Sequence, residues 1–320
     1  MRFMMLSGLG EDKLVSIMQG IIGLTPPNVD NDVSYVELPG VGLLALKIDG
    51  GSLSRIKTGF MSYYDVGWRV TVGTASDLLV KLAKPIALVA SLTLKGDHTR
   101  SEFEDLVKGI RDAAVAIGAS YIGGDLNEGS DDVLDVAMLG VAKRPIGRSP
   151  KPGDILVTIS QFGFTGLTFK LWYSGLLEKH LNDPVVARGV ELARRPIPWN
   201  PSDVLMSNID CINASMDSSD GLGRVLSEMG KAARITVYSL PINPDVKRAC
   251  SALNIDPEEV VFNGGEEYLP VFSIRPTCLG LFRDLGFMDF ARVEEGVGVY
   301  VGSRELKYRG WVYFNPIPYG

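Results

Sequence analysis

"ASMDSSDGLG", residues 214–223, is the stretch on which the reading turns. Asp217, Ser218, Ser219 and Asp220 crowd small polar side chains against the edge of an apolar segment. Gly221 follows, and then "LGRVLSEMGKAA" reads as a helix. Two carboxylates and two hydroxyls at a helix entrance suit hard cations, which take oxygen ligands, and phosphate groups alongside them. The ordinary alternative is that Ser219 or Asp220 simply caps the helix.

The same pattern recurs at "NVDNDV" (Asp30, Asp32), "KIDGG" (Asp49), "TASDLL" (Asp77) and "IGGDLNEG" (Asp125, Glu128). Acids at strand ends are a liability for a core, yet several of them converging would hold Mg²⁺ around a polyphosphate. Each also has a plain local reading. Ser76 or Asp77 caps "LLVKLA", Gly-Gly-Asp after a strand is a turn, and "NGGEEYLP" is a left-handed helix stop followed by a solvated acid pair.

Outward from these turns, strands and helices alternate, which predicts an α/β or α+β fold. "EDKLVSIMQGII" reads as a helix and "VSYVELPGVGLLALKID" as a hairpin around Pro-Gly. "SDLLVKLAKP" reads as a short helix stopped by Pro85. "IALVASLTL" is a strand, and "RSEFEDLVKGIRDAAVAIGA" is an amphipathic helix ending at Gly118. "SYIGGDL" is a strand that stops in the Gly-Gly-Asp turn, and "DVLDVAMLGVA" is another strand. Residues 143–154, rich in Pro and basic side chains, read as a connection between domains. The second half repeats the α/β style and ends with "ELKYRGWVYF" as a strand.

Composition narrows the function. The net charge of −6 disfavours nucleic-acid binding, which needs a basic face. No run of eighteen apolar residues occurs, so no membrane span is expected. Cys211, Cys250 and Cys278 match neither a zinc pattern nor an obvious disulfide framework, and scattered thiols suit a reducing cytoplasm. Only His98 and His180 are available as imidazole bases. No phosphate-binding G-x-x-x-x-G-K-[ST] loop, dinucleotide fingerprint or protein-kinase motif set is present. ATP chemistry here needs another architecture.

In order, "SGLGEDKLVSIM", "DNDVSYVELPG", "SDLLVKLAKP", "YIGGDL", "GRSPKPGD", "MDSSDGL" and "GGEEYL" resemble the thiamine-monophosphate kinase family, within the aminoimidazole ribonucleotide synthetase superfamily. The resemblance runs from about residue 8 to the end of the chain. It implies two α/β domains, 1–145 (dimerisation, metal and ATP) and 146–320, with the N-terminal sheets paired in a homodimer. The implied activity is ATP-dependent phosphorylation of thiamine monophosphate to the diphosphate, with Mg²⁺, in the cytoplasm. The implied metal ligands are Asp32, Asp49, Asp77, Asp125, Asp217 and Asp220. Gly124, Asp125, Arg148 and Ser219 would contact ATP, with Asp125, Asp217 and Arg148 catalytic. Glu266, with Trp311 or Phe314, would hold the thiamine moiety.

Three positions depart from the family pattern. Asn31 replaces an acid, Lys47 replaces a hydroxyl, and Ile56 replaces a histidine, with Lys57 beside it; Lys47 or Lys57 is the substitute phosphate contact. These departures keep two further readings open: the same ATP site with another acceptor, and a nucleotide-binding paralogue without kinase activity.

Overall fold

The computed structural model describes residues 6–312. The first half contains α1 (Glu11–Ile22), β1 (Ser34–Leu38), β2 (Gly42–Ser52), α2 (Leu53–Ile56), α3 (Tyr63–Val80), β3 (Lys84–Leu94), α4 (Arg100–Ile117), β4 (Ser120–Glu128) and β5 (Val133–Ala142). Its five strands form one sheet in the order β1-β2-β5-β3-β4. α3 and α4 pack together on one face, over a core that includes Leu78, Leu88, Ile110 and Leu134. The other face carries exposed apolar side chains: Leu46, Ile48, Ile86, Val89 and Val141.

The second half contains β6 (Ile155–Thr158), α5 (Phe164–Tyr173), α6 (Leu177–His180), α7 (Pro184–Arg194), α8 (Asp203–Ser207), β7 (Ile212–Asp217), α9 (Leu222–Met229) and β8 (Arg234–Val237). After these come α10 (Pro244–Leu253), α11 (Pro257–Phe262), β9 (Pro270–Ile274), α12 (Leu279–Asp284), β10 (Met288–Glu294), β11 (Val299–Val301) and β12 (Arg304–Glu305). Seven strands form a second sheet in the order β12-β11-β8-β10-β6-β9-β7. One core joins it to α5, α9, α10 and α11 through Phe162, Leu226, Val246 and Phe262. A separate cluster of Phe272, Phe282, Phe287 and Trp199 forms around α8 and α12.

The two sheets share no strand, and the chain passes from one to the other between Ala142 and Ile155. They are nevertheless interlocked. α3 touches β7, β9 and α7, and Ala193 and Tyr268 belong to the first core. Asp65, at the start of α3, is gripped by Arg194 at 2.8 Å and Arg195 at 2.7 Å.

Several expectations need correction. "SDLLVKLAKP" is the last turn of an eighteen-residue helix, and that helix ends at Val80, short of Pro85, which lies inside β3. Asp77 and Ser76 are therefore interior helix residues, and the cap is Ser62, whose hydroxyl and Asp65 form a capping box. Gly-Gly-Asp does not end its strand: β4 continues through Asp125 to Glu128. The turn reading fails because the β3–β4 register shifts opposite these glycines, between Leu88 and Ala90. The helix after "DSSD" is capped by neither Ser219 nor Asp220; its N-cap is Gly221, at φ 89°. Of "ELKYRGWVYF", Glu305 closes β12 and residues 306–312 form no strand, while the last two residues lie outside the described ones. Cys211 and Cys278, 67 residues apart, form a disulfide, which overturns the reading of three independent thiols.

Candidate active site

β7 runs into the core and ends at Asp217, which is 4% exposed. Its Oδ1 accepts the Ser219 hydroxyl at 3.3 Å, while its Oδ2 is buried without a hydrogen-bond partner among the described residues. Burial, and after it the charge of Asp77, lifts the Asp217 carboxyl well above its ordinary value. Asp77, from the last turn of α3, is pushed up to about 6 by the same burial, against the pull of Lys47. Strand-end and helix-end acids from the two halves of the chain thus face one another. An oxygen left bare in such a place suits a cation better than a core.

The other polar residues of the opening stretch each have a task. The Ser218 hydroxyl, fully buried, accepts the Leu269 N–H at 2.9 Å. The Ser219 carbonyl accepts the Glu266 N–H at 2.7 Å. Asp220 lies within electrostatic reach of Glu11, Glu266 and Asp49, and burial with these charges lifts it to about 7. Gly221 must be glycine. Its φ is left-handed, and a side chain would strike the Phe262 carbonyl at 2.7 Å.

Protein cations are wedged among the acids. Lys47, on the α3 side of β2, places its ammonium 2.7 Å from Asp77 Oδ2 and 3.9 Å from Asp49 Oδ2. Burial opposes its charge, but Asp77 and Asp49 hold it protonated beyond the ordinary lysine range. Lys81, one turn beyond Asp77, is fully buried. Its ammonium meets Asp32 Oδ2 at 2.9 Å and the Ser215 carbonyl at 2.5 Å. Arg148 pairs with Asp32 through Nη2 and reaches Glu228 at 3.6 Å through Nη1. Burial would raise the Asp32 carboxyl, but Lys81 and Arg148 outweigh it and hold Asp32 far below the usual range. Among the described residues, no three acidic, imidazole or thiolate side chains close into a ready-made metal cage. Sequence reasoning missed Lys81. Its signal was a lone lysine in "DLLVKLA", where every neighbour but Asp77 is apolar.

Glu266 stands on a strained loop, with φ 66° at Glu266 and 51° at Tyr268. Arg69 Nε meets Glu266 Oε2 at 3.0 Å, and the Tyr268 hydroxyl donates to the same oxygen. Behind it, Glu267 accepts the Gly163 N–H at the start of α5. The Trp311 N–H donates to the Asp220 carbonyl at 3.0 Å. Phe314 lies outside the described residues. Lys57 is elsewhere, 5.2 Å from the Tyr63 ring in a group with His98, Glu102 and Asp132.

Asp125 does not join Asp77 and Asp217 within one chain. It pairs with Ser91, which pairs with Asp135, on the sheet face turned away from α3. The Asn127 amide holds it at 2.7 Å, beside a depression of about 320 Å³ bounded by Ile48, Ser91, Gly124 and Asp135. Gly124 faces Ala90, whose carbonyl oxygen would be 1.8 Å from any Cβ placed there.

Comparison with known proteins bears on the family and the fold. Residues 30–142 match the family AIR synthase related protein, N-terminal domain. The thiamine-monophosphate kinase of Pyrobaculum calidifontis is 40% identical over 309 residues, 96% of this chain and 97% of that protein. That of Pyrococcus abyssi is 30% identical over 79% of this chain and 80% of its own length. The structure of AaThiL complexed with AMPPCP and TMP has the same fold, with TM-score 0.86, 24% identity, and coverage of 98% of this chain and all of that one. With kinship running from end to end, the chain belongs to the thiamine-monophosphate kinase family.

Proposed function

We propose that this chain transfers the terminal phosphoryl group of ATP to the phosphate of thiamine monophosphate, giving thiamine diphosphate and ADP. The acceptor follows from family membership. The observation that carries the chemistry is the meeting of Asp77 and Asp217 across the two halves, with Asp217 Oδ2 bare. Phosphoryl transfer asks for alignment and for neutralised charge more than for covalent work. The residues present fit Mg²⁺ at Asp217 and the neighbouring Asp220, with Asp32, Asp49 and Asp77, which already face protein cations, behind them. Held there, Mg²⁺ would supply positive charge against the phosphates.

The chain's own groups do the rest. Arg148, anchored on Asp32 and Glu228, brings a fixed cation with spare N–H donors toward the phosphates. Ser219 couples the metal acid to the acceptor loop, because its hydroxyl and carbonyl hold Asp217 and Glu266 respectively. Glu266, with Trp311, fixes the thiamine moiety, and Arg69 and Tyr268 hold its carboxylate in one place. The attacking atom is already an anionic phosphate oxygen, so no strong general base is required.

Asp125 and Gly124 enter through dimerisation. The face of the first sheet that carries Asp125 is the one with exposed apolar side chains, which supports pairing of two N-terminal sheets. We take residues 1–145 and 146–320 as the two domains. No described helix is long and apolar enough to cross a membrane; the need for ATP supports a cytoplasmic setting. Coupled detection of ADP with thiamine monophosphate, set against a panel of other phosphates and carbonyl acceptors, tests the reading. ADP release with thiamine monophosphate alone upholds it; release with another acceptor, or nucleotide binding without turnover, overturns it.

A further inference from the structure

The Lys47 side chain crosses from β2, where its backbone pairs with Met138, to the last turn of α3. Its side chain is 20% exposed and that of Asp77 is 7% exposed, so the pair is shielded from solvent screening. The ammonium occupies Asp77 Oδ2 at 2.7 Å and leans toward Asp49 at 3.9 Å. A divalent ion on that same oxygen would stand beside a fixed positive charge at van der Waals range. In such a shielded place the two like charges repel strongly. Asp217 is left as a buried acid of the cluster that no ion pair among the described residues neutralises, with its Oδ2 turned away from solvent.

We propose that the Lys47 ammonium is a built-in cation of this active site, standing where a divalent ion would otherwise neutralise Asp77 and Asp49, so that the site binds its nucleotide with fewer metal ions than its carboxylates would hold. The proposal rests on the phosphoryl-transfer reading. It also explains how closely spaced acids are tolerated in the metal-free protein: Lys47 balances Asp77 and Asp49, while Lys81 and Arg148 balance Asp32. Lysine supplies a point charge on a flexible stem and needs no coordination geometry. The pocket is therefore assembled before metal arrives.

The test counts Mn²⁺ ions bound per chain, by electron paramagnetic resonance at saturating non-hydrolysable ATP analogue, in the wild type, Lys47→Met and Lys47→Arg. The methionine variant is expected to bind about one more ion than the wild type, and the arginine variant the same number. Thermal melting of the nucleotide-free proteins gives a second readout. Mg²⁺ is expected to raise the melting temperature of Lys47→Met steeply and that of the wild type little. Equal ion counts and equal Mg²⁺ responses in all three proteins overturn the proposal. Should Lys47→Met not fold, anomalous diffraction from Mn²⁺ in the nucleotide-bound wild type decides. No Mn²⁺ on Asp77 Oδ2 supports the assignment, and an ion coordinated there overturns it. Calorimetry with the same analogue separates the two levels: failure to bind nucleotide defeats the kinase reading, whereas binding with unchanged ion counts defeats only the role of Lys47.

Discussion

The Arg69 guanidinium grips the Glu266 carboxylate with two nitrogens, Nε at 3.0 Å and Nη2 at 3.3 Å, across 197 residues of sequence. This fork fixes a carboxylate that stands on a backbone conformation disfavoured for any residue but glycine. Arg69→Met frees Glu266 to wander. The expected result is a rise of roughly tenfold or more in KM for thiamine monophosphate, with kcat and the KM for ATP little changed. Steady-state kinetics with each substrate varied in turn checks the split.

Asp217→Asn is expected to abolish turnover, because an amide in place of the bare oxygen is a poor ligand for a hard cation. The same change removes a buried charge crowded by Asp77. The variant therefore melts at a higher temperature than the wild type at neutral pH. Function and stability pull this position in opposite directions, as expected at a working site. Calorimetric melts of the metal-free proteins beside an activity assay measure both effects. A variant that is active, or that is less stable than the wild type at pH 7, contradicts the assignment.

Glu267 offers a pH test outside the metal acids. Burial pushes its carboxyl up to about 7 from the ordinary 4.5, although backbone N–H groups of Gly163, Thr165 and Phe164 favour the charged form. A raised acid binds more protons folded than unfolded. Its contribution to stability is therefore greatest below about 4.5 and declines as the pH rises toward about 7. Glu267→Gln should flatten the pH dependence of the melting temperature between pH 5 and pH 8 on the order of a few degrees. Parallel slopes in the two proteins would count against the buried, protonated reading.

Gly124→Ala is expected to cost at least about 1–3 kcal/mol, since its Cβ cannot share space with the Ala90 carbonyl and β4 must shift. Asp125 moves with that strand, so activity falls further than stability accounts for. A urea melt and a kinetic assay at a temperature where the variant is fully folded separate the two losses.

Ile48, 67% exposed on the open face of the first sheet, tests the dimer. Ile48→Glu places a charge in the middle of the proposed interface. Light scattering should then report a monomer, with activity lost although the melting curve stays cooperative. A dimer of unchanged affinity would remove the sheet face from consideration.

Where the pattern was amphipathic, the elements were legible. α1 and α4 were readable because apolar residues recur at helical spacing, and Gly118 adopts the left-handed conformation that stops α4. α3 was mostly invisible for the opposite reason. From Val66 to Val80 nearly every residue is buried, small and polar ones included, so no polar face marks a period. Its end was seen and its first three turns were not. The candidate acids stood out because a carboxylate beside a glycine or a hydroxyl is conspicuous in an apolar chain, and the fold brings Asp32, Asp49, Asp77, Asp217 and Asp220 within electrostatic reach of one another. Their counter-ions were harder to find, because lysine ordinarily signals surface, and Lys81 is as buried as any leucine around it. Pairing of Cys211 with Cys278 was out of reach, since nothing local brings together residues 67 positions apart.

That disulfide has a mechanical consequence. β7 is the outermost strand of its sheet, paired with β9 on one edge and met on the other by a single bridge from Gly147 to Ala214, and edge strands are where a sheet begins to unzip. Cys211 lies immediately before β7, and its bond to Cys278 moors that end to the entrance of α12. The strand that delivers Asp217 is thus riveted at its outer end and buried at its inner one. The opposite margin, at β11 and β12, has no such rivet among the described residues and is where heat or protease is expected to loosen the sheet first.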